Sequence, residues 1–397
     1  MFEESATTAR PYVSVVIPTK NRYATLIPVV KAFVAAIPDP GLQLVIQDNT
    51  PDNDEVVSFL EALGDARIVY AHVTAPLSIV ENTEAALDRA TGDYVTFIGD
   101  DDLVSPFIVD VARALADTNI EAVTYPSAYY WWPSVKFANP SPFHQPGAFW
   151  YPSHVGGHAR RLEPAAELSR VLQSGAVSMF DLPRLYHGLV RRDVLLRLRQ
   201  STGRYVNGAS PDMALAVGLG LTVRHHVILD YPLTIYGASK HSGGGWTAER
   251  KHFGRIENQT HLPRSTIDNW SSKLPRIWSE YTIYPQTVGE VLSAMSLPDT
   301  INYTAFYAAM AVNEPQFRSM LTPLLLAHLR KQPHQASRFV LTLARKIFGR
   351  ARRALNRHVF GMPYRLEIFQ SPMDCMAYLC SIPRPRICVE EQATLSQ

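Results

Sequence analysis

Cysteine is scarce: the 397-residue chain has three, Cys375, Cys380 and Cys388, all near its C-terminus. Three clustered thiols make no disulfide framework, and their Cys-x4-Cys-x7-Cys spacing fits no zinc pattern. Buried free thiols in a reducing, cytosolic setting are the expectation. Also missing is any run approaching the ~18 consecutive apolar residues of a membrane span. Met1 to Arg10 is polar and acidic and has no apolar stretch behind a basic start, so it does not read as a secretory signal. Net charge is only +2, which argues against nucleic-acid binding by the whole chain. No internal repeat or low-complexity tract is present. With 46% hydrophobic and 19% charged residues, the composition is that of an ordinary soluble protein with core enough for two or three domains.

What the sequence does hold is a regular alternation of elements. Tyr12-Val13-Ser14-Val15-Val16-Ile17 is a β-branched run stopped by Pro18, and reads as a buried parallel strand. An apolar helix over about 24–37 follows, then a strand over 42–47 ending in Asp48-Asn49-Thr50-Pro51-Asp52. A helix through Val56, Val57, Leu60 and Leu63 leads to a strand over about 67–73. Ser78 is placed to cap a helix over about 79–90. A fourth strand, Tyr94 to Ile98, runs directly into Asp100-Asp101-Asp102. Such alternation predicts βαβ units and a mostly parallel sheet, with ligands at the carboxyl ends of the strands. Thr19, Asp48 and Asp100 to Asp102 all fall at such ends.

Three adjacent carboxylates repel one another, so they sit in solvent or around a cation. Oxygen ligands at a strand end suit Mg²⁺ or Mn²⁺, whereas a solvated acidic turn is the plainer reading. A fifth strand over 121–125 precedes a region rich in rings: Tyr129, Tyr130, Trp131, Trp132, Phe143, Phe149, Trp150 and Tyr151. These are either a hydrophobic cover or platforms for sugar rings beside the crevice, Trp131 and Trp132 foremost, with His187 nearby as a further acceptor contact. Asp212 opens an apolar helix, where it is a cap or a functional carboxylate. A strand over 227–236 leads to Lys240-His241-Ser242-Gly243-Gly244-Gly245, which suits a flap over a phosphate-bearing ligand.

After about residue 249 the alternation ends and the pattern is mainly helical. Residues 315–366 have no acidic side chain. Within them Phe339, Leu343, Ile347, Ala351 and Leu355 recur every four residues, with Arg338, Arg345, Arg350 and Arg353 elsewhere around the wheel. That is a basic amphipathic helix over about 336–359, resting either on an anionic membrane or on its own domain.

Four pieces therefore stand in order: Pro18-Thr19-Lys20-Asn21-Arg22 after a strand; Asp48-Asn49 after a strand; Leu77 to Asn82 leading to Ala90 to Tyr94; and Gly99-Asp100-Asp101-Asp102. The set resembles the family 2 glycosyltransferases of the GT-A fold, the inverting group that uses sugar nucleotides. It is most similar to bacterial members that build surface polysaccharides. The resemblance covers about residues 11–245. It implies an α/β GT-A fold over 1–248, with a nucleotide-binding half (11–110) and an acceptor-binding half (111–248), before the mainly helical region 249–397.

The resemblance also implies roles. Pro18, Thr19, Asn21, Arg22 and Asn82 would contact the nucleotide sugar. Asp48 would accept from the nucleobase. Asp100 and Asp101 would meet ribose and diphosphate, and Asp100, Asp101 and Asp102 would hold Mn²⁺ or Mg²⁺, Asp101 as principal ligand. His241 would be a late metal or phosphate contact. Asp212, preceded by Pro211 where the family has Glu, would be the catalytic base. Implied partners are a nucleotide-sugar donor and a glycan or lipid-linked acceptor, with the protein at the inner face of the membrane. A sugar-nucleotide nucleotidyltransferase and a non-catalytic carbohydrate-binding protein are the competing readings. The first usually opens with a glycine-rich loop, and Pro18 to Arg22 contains no glycine.

Overall fold

The computed structural model describes residues 10–141, 144–249, 253–259, 261–360 and 363–389, without the side chains of 353–360. The expectations for Phe143, Leu355 and the Met1 end lie outside these residues. The apolar runs form Val13–Thr19 (β1), Leu42–Asp48 (β2), Ile68–His72 (β3) and Tyr94–Phe97 (β4). β1 pairs in parallel with β2 and β4, and β3 lies outside β2. The connecting helices are Tyr23–Ala36, Asp54–Leu63 and Ile79–Leu87. Alternate side chains of β1 and β2 enter opposite cores, Val13, Val15, Ile17, Leu42, Leu44 and Ile46 on one face, Val16 and Val45 on the other. Burial of each such side chain contributes about 1.5–3 kcal/mol relative to exposure.

β1 continues through Pro18 instead of stopping there. Val16 and the residues two on from it face β4, whose pairing ends at Phe97, so the missing Pro18 N–H faces no strand. The Ser78 cap forms a full capping box: Glu81 N–H donates to Ser78 Oγ, and Ser78 N–H donates to the Glu81 carboxylate.

Beyond β4 the nine-stranded sheet continues through Leu189–Arg191, Ala122–Thr124, His226–Leu229, His158–Leu162 and Cys388–Val389. Leu189–Arg191 is antiparallel to both neighbours. A second, five-stranded sheet contains Tyr364–Ile368, Ala148–Pro152, Ala128–Trp131, Thr234–Ala238 and Leu103–Val104. The single strand expected over 227–236 is two strands in different sheets. Pro232 lacks an N–H between them, and Asp230 turns to accept from the Gly157 and His158 N–H groups.

The later helices include Glu280–Ala294, Tyr303–Asn313, Arg318–Lys331 and Gln335–Phe360. Gln335–Phe360 packs on Tyr303–Asn313. The expected stripe divides between two faces. Phe339 and Leu343 are half-buried, whereas Val340, Leu341, Ile347 and Phe348 are exposed, Phe348 at 71%. Among the described residues no helix is long and apolar enough to cross a membrane. All three cysteines are free, but only Cys375 is buried; Cys380 and Cys388 are exposed, contrary to expectation.

Candidate active site

β4 delivers the acidic triplet inward. Asp100, Asp101 and Asp102 are 2%, 4% and 1% exposed, so the solvated-turn reading does not hold. Asp100 accepts from Thr19 Oγ1 at 2.6 Å, and its other oxygen lies 3.1 Å from the Arg22 guanidinium without hydrogen-bond alignment. Asp101 meets Arg22 at 2.8 Å and accepts from Ser239 N–H at 2.9 Å. Arg22 also donates to Ser239 Oγ. Burial raises both carboxyls above their ordinary range against the opposing pull of Arg22, because one guanidinium faces two carboxylates.

Asp102 has a different environment. One oxygen accepts from Gly237 N–H at 2.6 Å, the other from Gly99 N–H, Tyr186 OH and His187 Nε2. Burial would raise its pKa, but His187 and these backbone donors hold it below the usual carboxylate range. His187 is fully buried, has a left-handed backbone (φ 53°), stacks on Tyr236 and reaches Thr234 through Nδ1. It braces Asp102 and has no surface to offer an acceptor. Trp132 is also buried, donating through Nε1 to the Asp101 carbonyl, and Trp131 packs against Phe137 and His144. Most of the neighbouring rings are core: Tyr130, Phe149, Trp150 and Tyr151 are buried, and Tyr129 is exposed.

The loop after β1 flanks the acidic triplet. Asn21 is exposed and left-handed (φ 57°), its N–H donating to Thr50 Oγ1. Pro18 is half-buried beside it. Asn82 Nδ2 donates to the Thr19 carbonyl, leaving its buried Oδ1 without a partner. Asp48 is fully buried; it accepts from Tyr23 OH, Tyr70 OH and Thr50 N–H, so this carboxylate braces the loop. Asn49, next to it, ties Lys20 to the Val73 and Ala75 carbonyls.

Across the crevice, Asp212 starts the helix Pro211–Thr222. It is half-buried, accepts from Ser210 Oγ, and accepts from Tyr284 OH at 2.9 Å. Its charge acts on Tyr186 and Tyr236, as does that of Asp102. Sequence reasoning missed Tyr186, Ser239, Tyr284 and Glu280, which belong to stretches with no motif. Glu280 opens the helix Glu280–Ala294 that carries Tyr284, and is exposed.

Among the described residues, no group of three or more His, Cys, Asp or Glu side chains is arranged to hold a metal ion. Mg²⁺-type ions bound with a diphosphate need only one or two carboxylates, the rest of the shell being phosphate and water. Asp100 and Asp101 fit that mode: both face the recess with too little positive charge, and Asp100 Oδ1 is orphaned. Asp102 does not, since both of its oxygens are already used. His241 is exposed.

Residues 14–158 match the family model described as Glycosyl transferase family 2. Among curated proteins, none matches the sequence. In solved structures the chain is similar to S. aureus TarS, at 14% identity and a TM-score of 0.40, over 83% of this chain and 54% of that one. The chain thus spans about half the length of that protein. S. aureus TarS 1–349 in complex with UDP-GlcNAc is 13% identical with a TM-score of 0.44, over 85% of this chain and 92% of the other. Mannosyltransferase PcManGT from Pyrobaculum calidifontis, in complex with GDP-Man and Mn²⁺, is 15% identical with a TM-score of 0.36, over 85% and 87%. Likenesses this distant place no side chain.

Proposed function

We propose, from the match of residues 14–158 to glycosyl transferase family 2, that the chain is a glycosyltransferase, moving a sugar from a nucleotide-diphosphate donor to a hydroxyl of a glycan or lipid-linked glycan, with inversion. Bacterial surface-polysaccharide synthesis on the cytoplasmic side of the membrane is the setting this reading implies. Residues 11–110 form the nucleotide-binding half, 111–248 the acceptor-binding half, and 249–397 a mainly helical region.

One observation carries the reading: two buried carboxylates, Asp100 and Asp101, share a single guanidinium at the carboxyl end of β4. That leaves a recess one positive charge short, suited to the cation of a nucleoside diphosphate. Asp100 and Asp101 would hold Mn²⁺ or Mg²⁺ together with the donor, and the ion would offset charge on the departing diphosphate. Arg22, positioned by Asp100, Asp101 and Ser239, adds a fixed cation at the same end of the site. Pro18, Thr19, Asn21 and Asn82 line the nucleotide side, with Asp48 as their brace.

Asp212 takes the proton of the acceptor hydroxyl. The new O–C1 bond forms as the bond from C1 to the diphosphate oxygen breaks, and the electron pair leaves with the nucleoside diphosphate. Attack from the face opposite the leaving group inverts C1. Release of nucleoside diphosphate from a sugar nucleotide tests this. Asp212→Asn is expected to lower turnover roughly 100- to 10,000-fold, and Asp101→Asn to abolish it. Full turnover in Asp212→Asn would mean that another group is the base. Pyrophosphate release from a nucleoside triphosphate would point instead to a nucleotidyltransferase.

The helix Gln335–Phe360 supports a peripheral contact with anionic membrane. Val340, Ile347 and Phe348 with Ala344 and Ala351 make one exposed apolar arc, and Arg338, Arg345 and Arg352 line its edge.

A further inference from the structure

The helix Glu280–Ala294 lies outside the family-matched segment, yet one of its faces is bonded along the loop that presents Asp212. Tyr284, Thr287 and Glu290 follow one another at intervals of three and therefore share that face. Tyr284 OH donates to Asp212 Oδ2 at 2.9 Å. Thr287 Oγ1 accepts from Ser210 N–H at 3.1 Å, and Glu290 Oε2 accepts from Ala209 N–H at 2.9 Å. Gln286 donates to the other Glu290 oxygen at 3.0 Å and fixes it. Gly208 is what permits so close an approach, since a Cβ there would stand 2.6 Å from Thr287 Cγ2. Three side chains of one helix face thus bond three positions around Asp212.

We propose that Tyr284 is a positioning residue for the base, and that the helix carrying it sets the direction of Asp212. This rests on the reading of Asp212 as the base and names the device that regulates it. Ser210 and Tyr284 each donate to one carboxylate oxygen, which fixes the plane of the group. The remaining lone pairs are left for the acceptor hydroxyl. Tyr284 stays a neutral donor, because burial and the charge of Asp212 hold its phenol well above its ordinary pKa.

Tyr284→Phe keeps the ring and removes the donor. With one donor lost, one carboxylate oxygen is no longer held and the plane of the group is free to turn. The expected result is a fall in kcat of roughly tenfold with an unchanged donor KM. An unchanged kcat would overturn the proposal. So would a lower kcat accompanied by a lower Tm and a raised donor KM, which is the signature of lost packing. Should Tyr284→Phe fail to fold, Thr287→Val removes the acceptor for Ser210 N–H, and the same drop in kcat at constant KM is expected; unaltered kinetics there would overturn the proposal as well. Asp212→Asn separates the two levels, since high turnover in that variant refutes the base itself, whatever Tyr284 does.

Discussion

Asp102 accepts from Gly99, Gly237, Tyr186 and His187, whereas Asp101, one residue earlier, has Arg22 and a single backbone donor. Removing the first strands several buried donors. Asp102→Ala is therefore expected to lose about 3 kcal/mol or more of stability in urea denaturation, with m unchanged. Asp101→Ala relieves repulsion in a buried acidic pair, and its stability should equal or exceed that of the parent. These roles were not legible in three identical letters. They are set by His187 and Gly237, which lie 85 and 135 residues further along the chain. His226 allows a pH test at the same scale. Burial, with Arg184 adding, lowers its pKa to about 3, and among the described residues Thr124 is its side-chain hydrogen-bond partner. The unfolded chain then takes up a proton below about pH 6.5 that the folded chain refuses, so stability falls as the solution is acidified from 6.5 toward 3. His226→Gln should flatten that slope by up to about 1.4 kcal/mol per pH unit. Equal slopes for both proteins between pH 7 and pH 5 would show that His226 is protonated in the fold.

At the scale of elements, β1 to β4 were readable because each is a β-branched run between turn-forming residues. The two strands around Pro232 were not, because the break transfers the chain from one sheet to another and leaves the apolar pattern continuous. For Gln335–Phe360 the periodicity identified a helix correctly, but it could not tell which of two apolar arcs meets the protein. Both arcs are present, and packing on Tyr303–Asn313 selects the one with Phe339 and Leu343. Thr234–Ala238 supplies another prediction. Gly237 passes so close to the triplet that a Cβ would stand 1.7 Å from the Asp101 carbonyl oxygen. Gly237→Ala must push that strand from the site. A lower Tm and loss of nucleotide-induced thermal stabilisation are expected, read by thermal shift with and without nucleoside diphosphate.

Across the whole molecule, charge is unevenly spread. Residues 315–366 carry eleven Lys and Arg and no acid, so with +2 in total the remainder of the chain is at −9. Such a basic segment bearing an exposed apolar arc should hold the protein on vesicles rich in anionic lipid, less so in high salt, and not on zwitterionic ones. Ile347→Asp with Phe348→Asp is expected to weaken co-sedimentation at least tenfold; unimpaired sedimentation would remove the membrane from the account.

The end of the chain decides how such experiments must be built. Tyr364–Ile368 seals the outer margin of the five-stranded sheet, and Cys388–Val389 does the same for the nine-stranded one. Cutting the chain before them would bare two rows of peptide groups, each a template on which a second molecule could grow. Shortened forms would then cluster with one another, which is why the lipid question belongs to point substitutions in the intact chain.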